Sequence, residues 1–451
     1  MAFTIRQGLE ARDSVMGAYD PNPVVTYESE VNNLYNFRYF LTINRRVNSV
    51  WEEVSTIKRI PNKSGVGVFD MSQVLRNAVT LGLPSTGGNA NDPAQKSNTS
   101  EVFQIVVGYE SSTTIVGAIT TTTGGTRYSH VIAGAYLDQF TDYNNTPITD
   151  YVLDSNNAPF LTNREAHSFQ VGGINYDETA VVYLGNADSF SLGILSTDLT
   201  APFDTQALRL SLTAYVNGVA TQATTDITLQ EVSNTAFTPE TTTAVTTDLW
   251  IGPNDFKNYA WASALNGLDW THVEVEMQLA GSSYAAQSKK FVMVKKGCGV
   301  EGMSFKYLNK FGTYDYVFCQ GHTQENLNYT RDTFTTGSGN WSTADGLADD
   351  TNLLLNDPNK RQTISEVTNK QRAFTASTGY ISRYENDLVL GLLESKRVWA
   401  TKFVAPRVDQ GTQYYPVTIT NSSMRAMFQQ TDKLIEYSIE FTYANPVRTT
   451  A

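Results

Sequence analysis

"ALRLSLTAYVNGVATQATTDITL", residues 207–229, decides the fold. Asn217-Gly218 is a strong two-residue hairpin signal, because both turn positions want a positive φ. Folding the chain about that pair sets Val216 opposite Val219, Leu212 opposite Ala223 and Leu208 opposite Ile227. One face of the hairpin is then continuously apolar, so the register is self-consistent and an antiparallel sheet with one buried face is predicted.

The same alternation recurs on both sides of this hairpin. In "WTHVEVEMQL" (270–279), Val273, Val275 and Met277 point one way. In "YNFRYFLTI" (35–43), Phe37, Tyr39, Leu41 and Ile43 do the same, and further strands are expected at 50–60 and in "EVFQIVVGYE" (101–110). In "LIEYSIEFTY" (434–443), Ile435, Tyr437, Ile439, Phe441 and Tyr443 face a core while Glu436 and Glu440 face water. The Thr-rich stretch 111–127 reads as a hairpin or a loose loop. Helical spacing is confined to two places. Val74, Leu75, Ala78 and Val79 make one helical face after a capping box at Asp70 and Gln73, which predicts a short helix over 70–81. "NDLVLGLLE" (386–394) predicts the second.

The expected fold is therefore mainly β, with several antiparallel β-sandwich-like domains and a few short helices. Three segments are expected: 1–185, a β domain carrying the first helix; 186–297, an inserted or middle sandwich; and 298–451, a β region with a long polar arm near 331–372.

Charge narrows the partners. Acidic residues exceed basic ones by 12, and no basic run occurs, so a nucleic-acid backbone is not an expected partner. No run of about eighteen apolar residues predicts a membrane span. The first twenty residues lack the basic start and apolar core of a secretory signal, so synthesis in a reducing cytoplasm is expected and the sequons at Asn98, Asn328, Asn340 and Asn421 carry little weight.

Catalytic signatures are not legible. The sequence holds no nucleophile elbow, no HExxH, no phosphate-binding loop and no GxGxxG after a strand. The best metal candidate is His272-x-Glu274-x-Glu276, three alternate residues that share one strand face, but the same alternation describes a solvated face backed by Val273, Val275 and Met277. Asp269 and Glu274 could be cast as a glycosidase pair, although carboxylates picked from 45 acidic residues have no specificity. Trp250, Trp261, Trp270 and Trp341 could stack on sugars or anchor a core. No catalytic residue and no cofactor are assigned.

Both cysteines lie in "CGVEGMSFKYLNKFGTYDYVFCQG" (298–321). With a turn centred on Lys310 and Phe311, Cys319 falls opposite Gly302 and Cys298 opposite Thr323. That offset of about four residues is roughly 13 Å along a strand, against the ~5.5 Å between Cα atoms that a disulfide needs. Two free thiols in an aromatic hairpin are expected.

Three stretches also carry a family resemblance: "KRIPNKSGVGVFDMSQVLRNAV" (58–79), "SFKYLNKFGTYDYVF" (304–318), and "LLESKRVW" with "YYPVTIT" and "LIEYSIEFTYANPVR" at the C-terminal end. Together they resemble tail-associated virion structural proteins of tailed bacteriophages, of the type found in phages of Bacteroidetes and marine hosts and in crAss-like phages. Residues 186–297 carry no such likeness. The resemblance implies a non-enzymatic β-rich subunit of a tail, collar, ring or fibre attachment, located in the virion after synthesis in the host cytoplasm. Its implied partners are further copies of itself and other virion proteins. A receptor- or glycan-binding module of the tail, with a host surface glycan as partner, is the alternative, and a carbohydrate-active tail enzyme stands behind it.

Overall fold

The computed structural model describes residues 3–7, 14–19, 23–28, 34–47, 50–79, 94–96, 99–134, 161–185, 190–196, 208–227, 245–252, 256, 259–279, 289–295, 302–335, 363–401, 403–404, 407–408, 414–421 and 435–444. Among them the chain is mostly strand, arranged as antiparallel sheets with two isolated parallel pairings, and helices are few and short.

The Asn217-Gly218 hairpin folds in the predicted register. Val216 pairs with Val219, Leu212 with Ala223 and Leu208 with Ile227, and both turn residues have positive φ, +49° and +81°. It forms one edge of a six-stranded sheet with the strands His272–Leu279, Lys289–Lys295, Ile174–Leu184 and His167–Val171. Leu210, Leu212, Val273, Val275 and Met277 point from its inner face into a core closed by Leu192, Ile194, Leu249 and Ile251 of a three-stranded sheet. This is a sandwich held by apolar burial. The segment boundary expected at 186 does not follow the sheets, because strands 167–171 and 174–184 belong to this six-stranded sheet and Ala94–Lys96 joins the three-stranded one.

A five-stranded sheet built on Tyr35–Val47, Val50–Arg59, Ser100–Ser112 and Thr120–Ile132 makes a second core. Its Thr-rich stretch is a hairpin, with strands 100–112 and 120–132 paired. Helix α1, Ser72–Ala78, covers this sheet through Leu75 and Ala78. It is shorter than the span 70–81. The capping box at Asp70 and Gln73 is not formed: Asp70 Oδ1 instead accepts from Ser72 N at 3.0 Å and Ser72 Oγ at 2.5 Å, an Asx turn that starts the helix two residues later. Helix α2, Asn386–Glu394, follows a 3-10 turn at 383–385 whose capping box is complete, with Ser382 N donating to Glu385 Oε2 at 2.9 Å.

A seven-stranded sheet holds the third core, and its hairpin Met303–Leu308 and Tyr314–Cys319 is buried on both faces. Tyr316 and Phe318 enter the sandwich core, Leu308 and Tyr314 enter the core beneath the five-stranded sheet, and Met303, Phe305, Tyr307, Val317 and Cys319 pack under α2. One hairpin therefore joins these three cores. Segments distant in sequence cover both of its sides.

The register also differs by one residue from the expected one. Cys319 pairs with Met303, and Leu308 with Tyr314, so the loop is Asn309–Thr313. Asn309 Oδ1 accepts from Phe311 N at 3.0 Å and Thr313 N at 3.1 Å, which makes the odd-length loop the stable one. Cys319 is a free, buried thiol. Cys298 lies outside the described residues.

Candidate functional site

The strand His272–Leu279 does place His272, Glu274 and Glu276 on one face, opposite Val273, Val275 and Met277. That face is not simply solvated at His272, which is 1% exposed. The hairpin turn Gly172-Gly173 closes over it. Gly172 has φ +58°, and a Cβ there would come within 2.8 Å of the imidazole, so the close approach needs glycine. Glu178, with φ +46°, sits at a register shift in the same hairpin and turns Tyr176 toward the histidine.

Tyr176 Oη donates to Glu274 Oε1 at 2.6 Å and lies 3.0 Å from His272 Nε2. The phenol has one proton, and the carboxylate takes it, so Nε2–H is the donor to the phenol oxygen. Nδ1 lies 3.1 Å from Thr271 Oγ1, whose single proton is shared with the Tyr215 carbonyl at 3.2 Å. Burial lowers the His272 pKa, with Glu274 opposing, which favours the neutral imidazole. Burial and then Glu274 push the Tyr176 and Tyr215 phenols up. A chain of rings runs through this cluster: Tyr384, His167, Phe169, Tyr176, His272 and Tyr215, with successive centroids 4.4 to 5.9 Å apart. The lone pairs a metal would use on His272 and on one oxygen of Glu274 are engaged within the protein. No cluster of three or more His, Cys, Asp or Glu forms a metal site among the described residues.

The other residues singled out by sequence are dispersed. Asp269 is exposed, at the bend before the strand that carries Glu274. Trp270 is buried in the sandwich core, and Trp261 packs half-buried against it. The Trp250 side chain and Trp341 lie outside the described residues. Burial raises the Cys319 thiol pKa, so it is a poor nucleophile.

A concave site missed by sequence reading lies where α2 meets the loop of the central hairpin. The groove holds about 440 Å³. Tyr19, Leu308 and Leu390 supply apolar lining, and Lys310, Lys396, Asp387 and Glu394 stand around it. Lys396 Nζ sits 3.9 Å from the centroid of the Tyr19 ring, with the Arg76 guanidinium 5.6 Å away. Burial, then Arg76, lowers the Lys396 pKa. Its residues come from positions 19, 133, 163, 308–310 and 387–396, and no local pattern connects those segments.

The longest strand pairing among the described residues forms a two-stranded ribbon. Strand Thr323–Thr335 pairs with Thr363–Ser377 along its whole length, but the latter meets the rest of the sheet only at Phe374–Ser377. The outer strand is exposed on both faces from Asn326 to Phe334. Leu327, Tyr329 and Phe334 are 42%, 46% and 48% exposed. Of the polar arm expected near 331–372, residues 331–335 and 363–372 lie in this ribbon and 336–362 lie outside the described residues.

No helix among the described residues is long and apolar enough to cross a membrane. No family model and no curated protein matches the chain. Among solved structures, the extracellular region of plexin A4 aligns over 67% of this chain at 9% identity with a TM-score of 0.17, a value too low to carry any inference about fold or function, and the chain spans 25% of that protein's length.

Proposed function

We propose that the protein is a non-enzymatic structural subunit of a tailed-phage virion, a tail, collar, ring or fibre-attachment component that works by homo-oligomeric assembly. The observation that carries this reading is the ribbon of 323–335 and 363–372. An isolated two-stranded ribbon is marginally stable in water, and this one carries exposed Leu327, Tyr329 and Phe334 on the strand that is outermost among the described residues. Such an arm gains its stability from a neighbouring subunit. The resemblance at 58–79, 304–318 and the C-terminal strands supplies the phage setting.

Mass spectrometry of purified particles and electron microscopy of the isolated chain test it. A symmetric multimer and presence in the particle are expected. A chain that stays monomeric at high concentration and is absent from particles would remove the proposal.

A further inference from the structure

Among the described residues, the strand Thr323–Thr335 is the outermost of the seven-stranded sheet. Proteins blunt such edges with proline, charged side chains (lysine above all), bulges or short length. "TQENLNYTRDTFT" has neither proline nor lysine and runs 13 residues. The one register shift in the ribbon is an extra residue, Thr368, on the inner strand, so the outer edge is unbroken.

We infer that this edge pairs with the same edge of a second copy, antiparallel, about a dyad at Asn328, so that two seven-stranded sheets become one. The inference rests on the assembly reading above and specifies its contact.

The register follows from symmetry and charge. Two copies that continue one sheet antiparallel are related by a dyad normal to it, which keeps each sheet face on its own side. Paired residues therefore share a face, alternate residues share a face, and the dyad passes through a residue rather than between two. The strand's charged residues are Glu325, Arg331 and Asp332. Arg331 and Asp332 are adjacent and point to opposite faces, so no such register sets them across from each other. Glu325 and Arg331 share a face, and Asn328 lies midway between them. Centring on Asn328 is thus the one register that puts opposite charges directly across, and the dyad makes the pair twice. It also sets Leu327 across from the partner's Tyr329 and Asn328 across from the partner's Asn328. Glu325 already accepts from Arg372 Nε through Oε1, which leaves Oε2 for the second guanidinium. The shared ladder would run from Thr323 to Thr333, roughly 35 Å at strand rise.

Charge reversal in the full-length chain tests this. Glu325→Arg and Arg331→Glu each place like charges across the dyad twice, and each is expected to weaken self-association about tenfold or more in sedimentation. Mixing the two variants restores both pairs in the heterodimer, so association returns to the parent's level. Single variants that associate like the parent, or folded variants that stay apart when mixed, overturn the inference. Asn328→Cys in the otherwise unaltered chain gives an independent reading: oxidation is expected to link position 328 to itself, identified by peptide mass spectrometry. Self-association without that link overturns the register. If particles contain the chain and the reversals leave it multimeric, assembly stands and this edge contact falls. If particles lack the chain while it still pairs at Asn328, the reverse holds.

Discussion

Asp315 Oδ2 accepts from Asn309 Nδ2 at 3.1 Å, across the loop of the hairpin that joins the three cores. The same carboxylate accepts from Thr162 Oγ1 at 2.5 Å and from Asn163 N at 2.7 Å, and Thr313 Oγ1 donates to Leu161 O at 2.6 Å. A buried polar knot thus pins residues 161–163 to the centre of the molecule. Asp315→Ala removes a buried acceptor shared by three donors, Thr162 Oγ1, Asn163 N and Asn309 Nδ2. We expect a loss of about 3 kcal/mol or more in urea unfolding, and a smaller loss for Asp315→Asn, which keeps one acceptor.

The neutral His272 gives a pH signature. Its folded pKa is below the ordinary 6.5. The unfolded state therefore binds the proton better, so the contribution of a neutral imidazole is complete above pH 6.5 and is lost as pH falls through the folded value. His272→Phe keeps a ring against Tyr215, which now stacks 4.5 Å from the imidazole, and removes the titration. The parent's unfolding free energy is expected to fall more steeply than the variant's as the pH drops below about 6.5. Parallel curves over that window would show that the imidazole is not held neutral. Glu110, whose pKa is lowered by Lys58 and Arg38, acts in a lower window, below its ordinary 4.5, and is common to both chains.

How much of this could be read from the sequence depends on how local the causes are. The 208–227 hairpin was legible to the last pair because a two-residue turn fixes the register and one face is apolar. The strand 272–279 was legible for the same reason on its inner face. Its outer face was not, since Gly172 and Tyr176, about a hundred residues away, cover His272. The 303–319 hairpin slipped by one because a side chain, Asn309, sets the loop length, and its doubly buried faces depend on segments contributed from 161–163 and 386–394. The groove beside Tyr19 is likewise assembled from five separate stretches.

Cys319 is expected to be chemically silent. It is fully buried under α2, and burial raises its thiol pKa. A thiol reagent should label it only at the rate of global unfolding. Cys319→Ala removes one buried sulfur and is expected to cost about 1 kcal/mol while leaving self-association unchanged. Fast labelling in the native state would show that the hairpin end opens locally.

The ribbon separates assembly from folding. Leu327 pairs with Arg372, so replacing residues 328–371 with an Asn-Gly dipeptide closes the strands in a two-residue hairpin. The residues that tie the inner strand to the core, Phe374 and Ala376, stay in place. The deleted outer strand is exposed on both faces from 328 to 334 and adds no core burial. The thermal midpoint should therefore move little, within about 1 kcal/mol of stability, while sedimentation shows loss of the multimer. A large drop in the midpoint would mean that the ribbon supports its own chain. An unchanged multimer would place the contact elsewhere on the surface.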